Sequence, residues 1–114
     1  MEEEKDFTQK ATELIVRDFE MVIGDQQPTE QELLEMLADQ VAYMIQYRLD
    51  FLLSLMYRLD IDEHKINLAL SPKAIIPPNV GLAHLILERQ KLRIKIKQEY
   101  GKTTLEDLED GLEF

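Results

Sequence analysis

A chain of 114 residues, 45% apolar and 32% charged, is long enough for one buried core, too short for two, and too apolar for global disorder. It contains no cysteine, which excludes a disulfide framework, a thiolate metal site and a thiol nucleophile. The net charge of -10 is uneven: residues 1 to 87 carry 16 acids and 7 bases, 88 to 102 carry 2 and 6, and 103 to 114 carry 5 and none. Nucleic acid or anionic lipid therefore has one segment to bind, and the rest of the chain repels it.

The first six residues, Met1 to Asp6, are acidic and lack the charged and apolar regions of a leader, and nowhere does an apolar run reach the roughly 18 residues of a membrane span. The expectation is a cytoplasmic protein with no membrane partner. Apolar residues recur at spacings of three and four, and the four glycines and four prolines fall at a few points. This predicts an all-α fold: a single-domain bundle of four to five helices over residues 1 to 102, followed by an acidic tail, 103 to 114, disordered or loosely docked.

In chain order, the first helix is expected from about Glu4 to Ile23, with Phe7, Ala11, Leu14, Ile15 and Val22 buried and Gly24 in the left-handed position after its end. The second opens on a capping box, Thr29 with Glu32 three residues on, and carries Leu33, Leu37, Val41 and Met44 on one face. Continued at about 100° per residue, that face would bury Arg48, so a bend near Gln46 to Asp50 is predicted. Beyond it Phe51, Leu52, Leu53, Leu55, Met56, Tyr57 and Leu59 nearly encircle a helix, which predicts a central buried one around residues 50 to 60. Asp60 and Glu63 form a second capping-box pattern, opening a short helix from Ile61 to Leu70 that stops at Ser71-Pro72. After the proline-rich connector, Asn79 is the expected cap of a last helix, Val80 to Tyr100, with Leu82, Leu85, Ile86, Leu92, Ile96 and Tyr100 at helical spacing.

YRLD occurs twice, at Tyr47 to Asp50 and Tyr57 to Asp60. Ten residues of helix leave the copies about 80° apart, so they cannot form one repeated surface.

On the last helix Lys91, Arg93, Lys95 and Lys97 make a candidate basic interaction face. Arg89 differs, falling inside the apolar arc, where a guanidinium needs a partner. The candidates are Asp60, Asp62, Asp50 and Asp18, in a partly buried ion pair that fixes the helix; an anionic ligand is the alternative. Asp60, Asp62, Glu63 and His64 are rich in ligand atoms, but capping and an acidic first turn explain them, and their spacing matches no zinc or calcium motif. No serine or histidine stands in a nucleophile constellation, and the scattered glycines form no phosphate loop. No cofactor, metal site or catalytic residue is predicted.

Three short elements, Tyr57 to Asp60, the acidic Asp62-Glu63 and Glu88-Arg89-Gln90 with the bases after it, resemble a pattern in a group of small, functionally uncharacterised helical proteins of Bacteroidetes-type bacteria. The resemblance covers about a third of the chain. It implies no activity; it implies that the two regions belong to one structural device. The leading functional expectation is a non-enzymatic interaction or scaffold module, with a protein partner or a second copy of itself. One alternative is nucleic-acid association through Arg93, Lys95 and Lys97, with the acidic tail competing for that face. The other is an enzyme or metal site around Asp60, Asp62, His64 and Arg89.

Overall fold

The computed structural model describes residues 2–100, with side chains from 7 to 99. The tail predicted for 103 to 114 lies outside the described residues. Five helices follow in order: α1 (Glu2–Asp18), α2 (Glu30–Tyr47), α3 (Leu49–Arg58), α4 (Glu63–Ala69) and α5 (Pro78–Tyr100). The described chain is an all-α bundle.

α1 ends five residues earlier than its apolar pattern suggests, and Gly24 is not its stop. Phe19 is completely buried, and the chain turns directly after it with Glu20 in the left-handed region at φ 55°. The Met21 amide then donates back to the Val16 carbonyl at 3.0 Å, the six-to-one bond of a Schellman turn. Gln40 of α2 donates to the Phe19 carbonyl at 2.9 Å, engaging one of the oxygens that a helix end leaves open. Val22, expected in the core, is 91% exposed. Residues 21 to 29 form a strap back to the start of α2, held where Gln27 Nε2 donates to the buried Thr12 hydroxyl at 2.9 Å.

Thr29 and Glu32 form the capping box of α2, with the Glu32 amide 3.1 Å from Thr29 Oγ1 and the Thr29 amide 2.9 Å from Glu32 Oε1. Leu33, Leu37, Ala38, Val41 and Met44 are its buried face. The helix breaks at Arg48, whose backbone leaves the helical region (φ -142°, ψ 47°). The break keeps the guanidinium outside, 2.9 Å from Glu20 and 4.2 Å over the Phe51 ring, while Leu52, Leu55 and Met56 still reach the core. Of the apolar residues expected to encircle this helix, Tyr57 faces solvent, on the side where Ser54 and Arg58 interrupt the run, and Phe51 and Leu53 are half-buried.

Asp60 does not cap α4. It is the left-handed residue that ends α3, at φ 60°, with its own amide donating to the Tyr57 carbonyl at 3.0 Å and the Ile61 amide to Met56 at 3.1 Å. That is a complete Schellman turn. The N-cap of α4 is Asp62, which accepts from the His64 amide at 2.9 Å. Glu63 is no box partner; its carboxylate accepts from the Tyr57 hydroxyl at 3.1 Å.

α5 begins two residues before its expected start, on Pro78, which has no amide hydrogen to leave unpaired in a first turn. Asn79 is therefore inside the helix rather than its cap, and its side chain donates to the Ala38 carbonyl of α2 at 3.1 Å. At the other end of the contact Lys91 meets Glu30 at 3.0 Å, so α2 runs antiparallel to α5. α4 also lies against α5, and an added Cβ on Gly81 would sit 3.4 Å from that of Ala69. With α1, α2 and α4 all packed on it, α5 is the shaft of the bundle.

Candidate functional site

Arg89 is the residue the sequence most clearly places against its chemistry. Its side chain is 29% exposed, and its Nε donates to the Leu59 carbonyl at 2.8 Å. Asp60 Oδ2 lies 3.5 Å from Nη2 and is on a 91% exposed side chain. A contact that long and that solvated is weak, so the principal partner is the backbone oxygen in the last turn of α3. Asp60 is thus the secondary partner. Asp18 is bonded instead to Arg17 at 2.9 Å, Asp62 to its cap, and Asp50 stands exposed on the first turn of α3.

Lys91 leaves the predicted basic face as well. Its ammonium bonds Glu30 at 3.0 Å and approaches Glu88 at 3.8 Å, and the bond to Glu30 raises its pKa against the opposing effect of burial. Arg89 and Lys91 are therefore clamps, one on the α3–α4 junction and one on the start of α2.

One turn further, the character of α5 changes. Arg93, Lys95 and Lys97 are exposed and have no ion-pair partner among the described residues. Between them Leu92 and Ile96 are 46% and 39% exposed, although the spacing predicts both in the core. The core side of α5 is instead Leu82, Ala83, Ile86, Leu87, Gln90 and Ile94, roughly 140° around the helix from the Leu92–Ile96 row at 100° per residue. The α3–α4 junction meets α5 at Arg89 and the start of α2 meets it at Lys91; Leu92 and Ile96 follow these two contacts along the helix.

Gln90 was invisible as a special residue except by its position three after Leu87 and four before Ile94. It is fully buried, and neither its amide nitrogen nor its oxygen has a hydrogen-bond partner among the described residues.

Tyr43 and Tyr47 make a second exposed patch on α2, their ring centroids 5.1 Å apart. Ala38 lies beside Asn79 at the start of α5, and these rings follow about one and a half and two and a half turns later. They occupy the opposite end of the bundle from Arg93, Lys95 and Lys97.

The Asp60-to-His64 segment does not converge. Asp62 and Glu63 are hydrogen-bonded as described and His64 is exposed. Among the described residues no group of three or more His, Cys, Asp or Glu is placed to hold a metal ion. A shallow recess lies under the strap between Ile23 and Met36, where its one carboxylate, Glu32, is held by the capping box. No described helix is long and apolar enough to cross a membrane.

These features define an all-α bundle with an open apolar row, flanked by bases, on the far half of its central helix. No protein-family model, curated relative or solved structure matches the chain.

Proposed function

We propose that the protein is a non-enzymatic interaction module, and that it binds an acidic amphipathic helix of a protein partner on the outer face of α5. The observation that carries this is the Leu92–Ile96 row, left uncovered, with Lys95 about 80° to one side of it around the helix and Arg93 about 80° to the other. An apolar seam between cationic edges fits a helix whose leucines enter the seam and whose acids line its border. A second copy of the chain fits less well, because the same bases would face each other across a two-fold axis.

The nucleic-acid reading shares the three bases but lacks a stacking surface beside them, since the tyrosine pair sits at the other end of α2. What weighs against the enzymatic reading is that Asp62 caps α4 and Asp60 ends α3, while His64 is exposed. In the group of small helical proteins that the chain resembles, the same reading makes the YRLD and ERQ elements a fold device rather than a site, with Arg89 gripping the junction.

Capture from cell extract on the immobilised chain tests the proposal. Proteins retained by the native chain are expected to be lost by the Leu92→Asp/Ile96→Asp variant, checked as folded by circular dichroism. Equal retention by both would contradict it. Light scattering after size-exclusion chromatography separates self-association from partner binding, and labelled RNA or DNA that bound at about 50 mM salt, where phosphate contacts are strongest, would favour the nucleic-acid reading instead.

A further inference from the structure

The chain carries two stretches of opposite charge outside α5. Residues 64 to 87 contain two lysines, two histidines and no acid, whereas residues 18 to 47 contain seven acids and no base. In a chain of net charge -10, the first stretch is where an acidic surface can approach without repulsion.

That stretch also presents an apolar tip in a fixed shape. Between α4 and α5, Ile75 is 100% exposed. On one side of it the Ser71 hydroxyl accepts from the Lys73 amide at 3.1 Å and the Ser71 carbonyl from the Ala74 amide at 3.0 Å. On the other side Ile76 lies over Gly81, where an added Cβ would stand 3.7 Å from its side chain. A tip held at both ends loses little conformational freedom when it docks. Lys73 is exposed beside it.

The recess under the strap has the complementary chemistry. It is walled by Ile23, Pro28 and Met36 and has a volume of about 170 Å³. Apolar cavities of about 150 Å³ take up benzene, so a single isoleucine side chain fits. Asp25 and Glu35, next to wall residues in the chain, are exposed. Ala38 faces the start of α5, and Met36 stands about 200° around α2 from it, so the recess opens away from the connector. Ile75, fully exposed, does not enter the recess of its own chain.

We propose that the protein associates head to tail, Ile75 of one copy entering the recess between Ile23 and Met36 of the next, with Lys73 against Asp25 and Glu35. Tip and recess are different surfaces, so every pair leaves one of each free and the contact can extend beyond two copies. A contact of this size belongs to the weak, transient class, which makes the assembly follow local concentration. Leu92 and Ile96 take no part in it.

Two variants separate the halves of the contact without disturbing the fold. Ile75→Asp alters a side chain that touches nothing. Gly24→Lys places a base in the wall of the recess, at a position with no positive φ and with nothing within 4 Å of an added Cβ. Sedimentation velocity on the full chain from about 10 μM to about 1 mM covers the range of weak contacts. The native chain is expected to grow in mass past a dimer as concentration rises, and each variant alone to associate at least about ten-fold more weakly. An equimolar mixture of the two variants should regain association and stop at one copy of each, because only the Gly24→Lys tip and the Ile75→Asp recess remain intact. A native chain that stays monomeric at about 1 mM would overturn the proposal. So would a native assembly that stops at a dimer, variants that associate like the native chain, or a mixture that stays monomeric. Association lost with Leu92→Asp/Ile96→Asp but kept by both variants would also overturn it and move self-association to α5.

Discussion

Asp60 and Arg89 touch, yet their substitutions should behave in opposite ways. The Leu59 carbonyl receives a charge-assisted bond from Arg89 at 2.8 Å, and Arg89→Met leaves it unpaired in a partly buried place; a loss of about 1.5–3 kcal/mol is expected by urea unfolding. Asp60→Gly removes only a 3.5 Å contact on an exposed carboxylate and relieves a left-handed residue at φ 60°. It is expected to leave stability unchanged or raised. A larger loss from Asp60→Gly than from Arg89→Met would mean that the ion pair, and not the carbonyl bond, holds the junction. Gln90 gives a second test at this scale. Both of its side-chain polar atoms are buried without partners among the described residues, so Gln90→Met, similar in shape and apolar, should stabilise by about 1–3 kcal/mol with an unchanged denaturant slope. A destabilised Gln90→Met would show that the amide is needed where it lies.

For the elements, the helix ends carry the testable energy. Thr29→Ala should cost about 1 kcal/mol through its half of the capping box. Glu32 is held below its ordinary 4.5 first by the Thr29 amide, and Glu20 likewise by its bond to Arg48. Depressed carboxyls contribute their stability above 4.5 and lose it as pH falls through the lower folded values. The melting temperature should therefore drop between about pH 5 and pH 3, and Glu32→Gln should flatten that drop; an unchanged slope would count against the box. Local devices such as this box were legible in the sequence because all their atoms lie within four residues. The break at Arg48 was legible for a related reason, since a continuous helix would have buried its charge. Asp60 was misread because aspartate suits both an N-cap and a left-handed C′ position, and only the packing of Leu59 and Ile61 into the core decides between them. Glu20 takes a strained turn in place of Gly24 because Phe19 must be buried, a demand made by the rest of the bundle. Asn79 reaches Ala38, 41 residues away, and no local pattern encodes that.

At the scale of the whole molecule, α5 carries apolar residues on two nearly opposite sides, so its pattern alone could not say which side meets the core. The neighbours decide: near its start the core takes Leu82 and Ile86, and further on Leu87, Gln90 and Ile94. Leu92 and Ile96 are what remains, and they turn a helix that organises the fold into one that also offers a surface. Removing the surface should not remove the fold, because both residues are more than a third exposed. The most direct test compares the two ends of the bundle in one capture experiment, Arg93→Glu/Lys95→Glu/Lys97→Glu at one and Tyr43→Ala/Tyr47→Ala at the other, each at native-like stability. Partner loss with the first variant and retention with the second is the predicted result; retention with the first and loss with the second would contradict the assignment of binding to α5.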